Sequence, residues 1–127
     1  MSEHKLQNEI RNQLAGKALI FRANTGQGWT GDRVERLGGG RVMIHGARPF
    51  NTGLPPGFSD LFGMVPTVIT QDMVGQTLGV FTAIEVKTAV GRVSPKQAAF
   101  LRAVNDNGGK SGVARSVDDA LALVGQP

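Results

Sequence analysis

Glu85-Val86-Lys87 closes the apolar run Phe81-Thr82-Ala83-Ile84 and sets an acid and a base two residues apart. Val80, Phe81, Thr82, Ile84 and Val86 are β-branched or aromatic, which predicts a largely buried strand. Side chains alternate along a strand, so Glu85 and Lys87 share one face, and Val86 is expected on the other, in the core. The ordinary outcome of such a pair is mutual neutralisation at a strand end. The chemical outcome is a carboxylate able to hold a metal ion beside an ammonium able to steer a nucleophile.

Three further polar residues stand where hydrophobic pattern alone would not put them. Asp60 interrupts the apolar stretch Phe58-Ser59-Asp60-Leu61-Phe62-Gly63-Met64-Val65, although aspartate disfavours strands. Glu9 lies on the edge of a helical apolar stripe, a position usually just solvated. Gln97 is the fourth residue of Ser94-Pro95-Lys96-Gln97, a Ser-x-x-Gln capping box with proline at the first helical position. Glu9, Asp60 and Glu85 converging in one cleft would repel each other unless a cation neutralised them. The chain has no cysteine and only two histidines, so such a site is made of oxygen donors and suits Mg²⁺ or Mn²⁺.

Positioning these residues requires a definite order of elements. Residues 3–15 read as an amphipathic helix with Ser2 as N-cap, a stripe of Leu6, Ile10 and Leu14, and Gly16 as its stop. Ala18 to Asn24 predicts a first strand, and Thr25 to Gly31 a glycine-rich loop carrying Trp29, with no Gly-Lys-Ser/Thr to make it a phosphate-binding P-loop. Arg33–Leu37 and Arg41–His45 flank Gly38-Gly39-Gly40 as a β-hairpin. Asn51 to Gly57 is a turn-rich loop, Phe58–Val65 a second core strand that Thr67–Thr70 extends, and Gln71–Gln76 a loop into the strand of Glu85. Asp60 and Glu85 are thus expected on sequential, adjacent strands. After Lys87 follow the helix opened by Ser94 and stopped at Gly108-Gly109, a short strand at Val113-Ala114-Arg115, and a last helix capped by Ser116 and closed by Gly125.

At 127 residues the chain is expected to be a single domain over 1–127. It has 14 basic against 10 acidic residues, a net charge of +4 and a pI near 10.1, which favours a polyanionic partner. Seven basic residues (Arg11, Lys17, Arg22, Arg33, Arg36, Arg41, Arg48) against two acidic ones (Asp32, Glu35) fall between residues 11 and 48. That stretch is either solvated surface or a basic, partly aromatic flap that contacts DNA. The lack of cysteine excludes disulfide scaffolds, zinc ribbons and thiol nucleophiles. No apolar run approaches the ~18 residues of a membrane span, so a soluble, cytoplasmic protein with no membrane partner is expected.

This set of residues, in this order, resembles the PD-(D/E)xK nuclease superfamily and, within it, the stand-alone virus-type replication–repair nuclease (VRR-NUC) family. The resemblance rests on Glu9, Arg22-x-Asn24, Gly57-Phe58-Ser59-Asp60-Leu61, Ile84-Glu85-Val86-Lys87, Ser94-Pro95-Lys96-Gln97 and Val113-Ala114-Arg115-Ser116. Ser59 departs from it, standing where the superfamily's name implies proline. The resemblance implies an α/β, restriction-endonuclease-like core (αβββαβ) with a mixed central sheet flanked by helices, plus the extra hairpin. It implies Asp60 and Glu85 as metal ligands, with the Val86 carbonyl and Glu9 as further donors, Lys87 as the group that orients and activates water, and Gln97 as a positioning group. Hydrolysis in the superfamily leaves a 5′-phosphate and a 3′-hydroxyl. Stand-alone members behave as homodimers that resolve four-way (Holliday) junctions, which implies branched DNA as partner, in a bacterial or phage-infected cell. A non-catalytic DNA-binding module, a restriction-type endonuclease and a purely structural accessory protein are the alternative readings.

Overall fold

The structure, a computed structural model, describes residues 2–24 and 26–125. Thr25, the expected first residue of the glycine-rich loop, lies outside the described residues. In chain order the elements are α1 (Glu3–Leu14), β1 (Leu19–Arg22), β2 (Gln27–Thr30), β3 (Arg33–Gly38), β4 (Arg41–His45), β5 (Arg48–Asn51), β6 (Leu61–Met64), a 3-10 turn (Gln71–Met73), β7 (Thr82–Val86), α2 (Pro95–Asp106), β8 (Lys110–Ala114) and α3 (Val117–Leu123). The order is α/β, as expected. The strands pair as four two-stranded ladders, β1–β6, β2–β5, β3–β4 and β7–β8. The chain forms two compact units, one from the described residues up to Ile20 together with those from Gly63 onward, the other Phe21–Phe62.

In the first unit, local signals set the helices. The Ser2 hydroxyl accepts from the Lys5 N–H at 3.2 Å and starts α1. Ser94 and Gln97 complete the capping box of α2, and the Ser116 hydroxyl accepts from the Asp119 N–H at 3.1 Å to start α3. β7 and β8 are parallel, with Glu85 opposite Val113 and Val86 opposite Ala114. Such a pair needs a crossover, and α2 supplies it and packs on both strands. The core of this unit lies there, at Val104 of α2 and Ala114 of β8, both buried. α3 covers β8, with Leu123 lying so close over Gly112 that a Cβ would come within 2.5 Å of its Cδ2.

Three expectations are corrected here. Val86 is 74% exposed and Glu85 is half-buried, so the covered face of β7 carries Ala83, Glu85 and Lys87, not Val86. α2 packs over that face, as a hydrogen bond from Gln97 to Glu85 shows. β6 begins at Leu61, so Asp60 precedes the strand instead of interrupting it. Among the described residues no ladder joins β6 to β7, so the two are not hydrogen-bonded neighbours; β6 pairs with β1 and stops before Pro66, which has no N–H to continue a ladder.

The second unit is mostly a two-stranded ribbon. The expected hairpin is present as β3–β4, with Arg33 opposite His45 and Arg36 opposite Val42. It continues into β2–β5, with Gln27 opposite Asn51 and Thr30 opposite Arg48, where Thr25–Gly31 was expected to be a loop. The Asp32 N–H donates to the His45 carbonyl at 2.8 Å and links the two ladders. Phe50 lies across Gly28, and Ile44 across Gly31. At the base, Phe62 meets Phe21 at 5.6 Å and Phe58 edge-on at 5.3 Å, both within the preferred range for aromatic pairs.

Candidate active site

The charged end of β7 is built from three elements of the first unit. Parallel pairing fixes the strand, and the Lys87 N–H donates to the carbonyl of buried Ala114 at 3.1 Å, so the Lys87 backbone is anchored to β8. The Lys87 ammonium reaches back to Glu85 Oε1 at 3.4 Å. From α2, Gln97 Nε2 donates to the same oxygen at 2.9 Å. The ion pair and the hydrogen bond converge on Oε1, which leaves Oε2 without a protein partner among the described residues.

Gln97 does two things at once. Its Oε1 accepts from the Ser94 N–H at 2.9 Å while its own N–H donates to the Ser94 hydroxyl at 3.1 Å, which is the capping box. Its Nε2 is then free to point away from the cap, at Glu85. Capping thus fixes the amide's rotation, and the fixed amide orients the carboxylate.

The turn after Lys87 is held from behind. Arg115, the residue after β8, donates through Nη1 to the carbonyls of Thr88 at 2.5 Å and Gly91 at 2.8 Å, and its own N–H donates to Asp119 Oδ2 at 2.8 Å. Arg115 lies in the Val113-Ala114-Arg115-Ser116 stretch, where spacing assigns it no role; its partners are backbone carbonyls more than 20 residues away, which no spacing rule reveals. Lys87 and Arg115 also line one open hollow of about 300 Å³, with Val86, Ser116 and Val117.

The other sequence-derived carboxylates make no hydrogen bond or ion pair with this network among the described residues. Glu9 is exposed on α1, and its carboxylate has no ion pair or side-chain hydrogen bond among the described residues. Asp60 belongs to the second unit, where its side chain is exposed and its carbonyl accepts from the Ala23 N–H at 2.9 Å. Among the described residues no three histidine, cysteine, aspartate or glutamate side chains form a group that could hold a metal ion. The donor chemistry still fits a hard divalent cation, because Mg²⁺ is commonly held by one or two carboxylates, water and substrate phosphate. Glu85, with one oxygen held by an ion pair and a hydrogen bond and the other open, meets that requirement for one ligand.

A family model described as the VRR-NUC domain matches residues 47–118, more than half of the 127-residue chain and a span that contains Asp60, Glu85, Lys87, Gln97 and Arg115. No curated protein and no solved structure matches the chain. Among the described residues no helix is long and apolar enough to cross a membrane.

Proposed function

The chain belongs to the VRR-NUC family of nuclease domains, and from that premise we propose that it is a metal-dependent, structure-selective DNA endonuclease that cleaves branched DNA such as Holliday junctions. The observation that carries this reading is the convergence of Lys87 and Gln97 on one oxygen of Glu85, at 3.4 and 2.9 Å, with the other oxygen open. A carboxylate serving only as a salt-bridge partner needs no second donor from a capped helix.

A Mg²⁺ or Mn²⁺ ion held by Glu85 would polarise the scissile phosphate and acidify a bound water; Asp60, Glu9 and the Val86 carbonyl are the further donors that the family resemblance names, although no three such side chains form a group among the described residues. Gln97 keeps the Glu85 carboxylate in one orientation. Lys87, anchored through its backbone to β8, places an ammonium where it orients the attacking water and offsets the negative charge that builds on the phosphate. Water adds at phosphorus, the bond to the 3′ oxygen breaks, and that oxygen takes up a proton, leaving a 5′-phosphate and a 3′-hydroxyl.

One active centre hydrolyses one phosphodiester at a time, and symmetric cuts in two strands are most simply made by two copies related by a two-fold axis. A homodimer is therefore part of the proposal, supported by exposed Trp29, Met43 and Phe50. The test is cleavage of a synthetic four-way junction and of linear duplex with Mg²⁺, with Mn²⁺ and in excess EDTA, alongside sedimentation at micromolar protein. Metal-dependent cuts at matched positions in opposing strands, by a species of twice 13.4 kDa, are expected. Full activity in EDTA, or a monomer that nicks linear duplex as readily as junctions, would overturn it.

A further inference from the structure

The ribbon of residues 27–51 carries a charge arrangement that the active centre does not use. Its two acids each have a basic partner inside the ribbon. Arg48 Nη1 meets Asp32 Oδ1 at 2.9 Å, while Glu35 Oε2 meets His45 Nε2 at 3.0 Å and Arg33 Nη2 at 3.9 Å. Arg36 and Arg41 remain with no carboxylate partner among the described residues, and both are exposed. They are the two charged residues nearest the tip, on either side of Gly38-Gly39-Gly40.

The tip itself has a backbone that favours glycine. Gly38, Gly39 and Gly40 have φ of 84°, 60° and 76°, and a Cβ built on any of them meets nothing within 4 Å. Nothing in the packing therefore demands the absence of side chains; the left-handed turn does. Its consequence is a bare, narrow end on which no side chain keeps a partner away from the backbone.

Strand alternation then places the two cations. Arg36 stands opposite Val42 in the β3–β4 ladder and shares its face; the register shifts between Arg36 and Gly38 on β3, but Arg41 directly precedes Val42 on β4 and so projects from the other face. One unpaired guanidinium thus leaves each face of the ribbon just behind a bare tip. B-DNA's major groove, about 12 Å wide, admits a two-stranded ribbon and is walled by phosphates on both sides. Guanidinium is the side chain best matched to phosphate oxygens.

We propose that the ribbon is a DNA-gripping arm whose tip enters a duplex groove, with Arg36 and Arg41 each taking a phosphate on opposite walls. The proposal rests on DNA being this protein's substrate, as in the reading above, but not on cleavage. Binding of a fluorescent duplex and of a four-way junction is therefore measured by anisotropy in EDTA, across a series of salt concentrations. Each phosphate contact contributes about 0.9 to the slope of log K against log salt, and roughly 10-fold in affinity near 0.1 M salt. The double variant Arg36→Ala/Arg41→Ala should lose close to two units of slope and on the order of 100-fold in affinity, with unchanged circular dichroism. Arg36→Lys/Arg41→Lys should keep most of the slope, because lysine still neutralises a phosphate. Arg102→Ala, which removes one positive charge on α2, should change binding little. An unchanged slope in the double alanine variant, or an equal loss per charge in Arg102→Ala, would overturn the arm. Arginine-dependent binding by a wild-type protein that never cuts with metal would overturn the nuclease reading and leave the arm standing.

Discussion

The end of β7 and the ribbon both set cationic side chains against carboxylates, and they hold those charges in opposite ways. The Lys87 and Glu85 side chains are 21% and 28% exposed, and Glu85 is held by a second donor from α2. On the ribbon, the Arg48 and Asp32 side chains are 59% and 72% exposed, and their pair stands in open solvent. An exposed pair is screened and is worth little to stability. A half-buried one with converging donors fixes the direction of a carboxylate oxygen. The difference separates two tasks. Bond-breaking chemistry needs one geometry maintained, which parallel pairing and a covering helix supply. Gripping a polyanion needs cations left unspent, and the ribbon achieves this by pairing each acid internally and leaving Arg36 and Arg41 over.

That contrast is broken most severely at Glu85. Glu85→Gln, and Asp60→Asn if it supplies the second carboxylate, should lower single-turnover cleavage by at least ~1,000-fold while leaving DNA binding in EDTA within a few-fold of wild type. The ribbon variants should do the reverse, weakening binding while the rate at saturating DNA stays near wild type. A Glu85→Gln protein that cuts normally would remove the site from β7.

Lys87→Ala should be milder, about 100-fold slower at saturating DNA, with the folded state retained. If Lys87 acts only as the partner of Glu85, the variant will instead lose melting temperature and keep its rate per folded molecule.

The smallest of the three effects is expected at Gln97. Gln97→Glu can keep the capping box, because glutamate also reaches back to the Ser94 N–H, so the melting temperature should hardly move. It replaces the N–H now 2.9 Å from Glu85 Oε1 with a second carboxylate oxygen. Cleavage near neutral pH should fall about 10-fold. Normal cutting would reduce Gln97 to a helix cap.

The sequence by itself determined whatever depends on residues a few positions apart. Ser94, Pro95 and Gln97 specify the start of α2 because a capping box closes over three residues, and the triple glycine specifies the β3–β4 turn because its backbone lies where other residues rarely go. Alternation likewise put Glu85 and Lys87 on one face. It could not say which face was covered, since a period of two is unchanged when the strand is turned over; only the docking of α2 decided that Glu85 would be half-buried and Val86 exposed. The β2–β5 ladder was illegible for a related reason. Gln27-Gly28-Trp29-Thr30 has no strand pattern of its own and becomes a strand only because Arg48–Asn51, some 20 residues on, supplies its hydrogen-bond partners. The second bond of Gln97 and the grip of Arg115 on Thr88 and Gly91 belong to the same class. They join groups distant along the chain, and spatial neighbours of that kind exist only once the tertiary structure has brought them together.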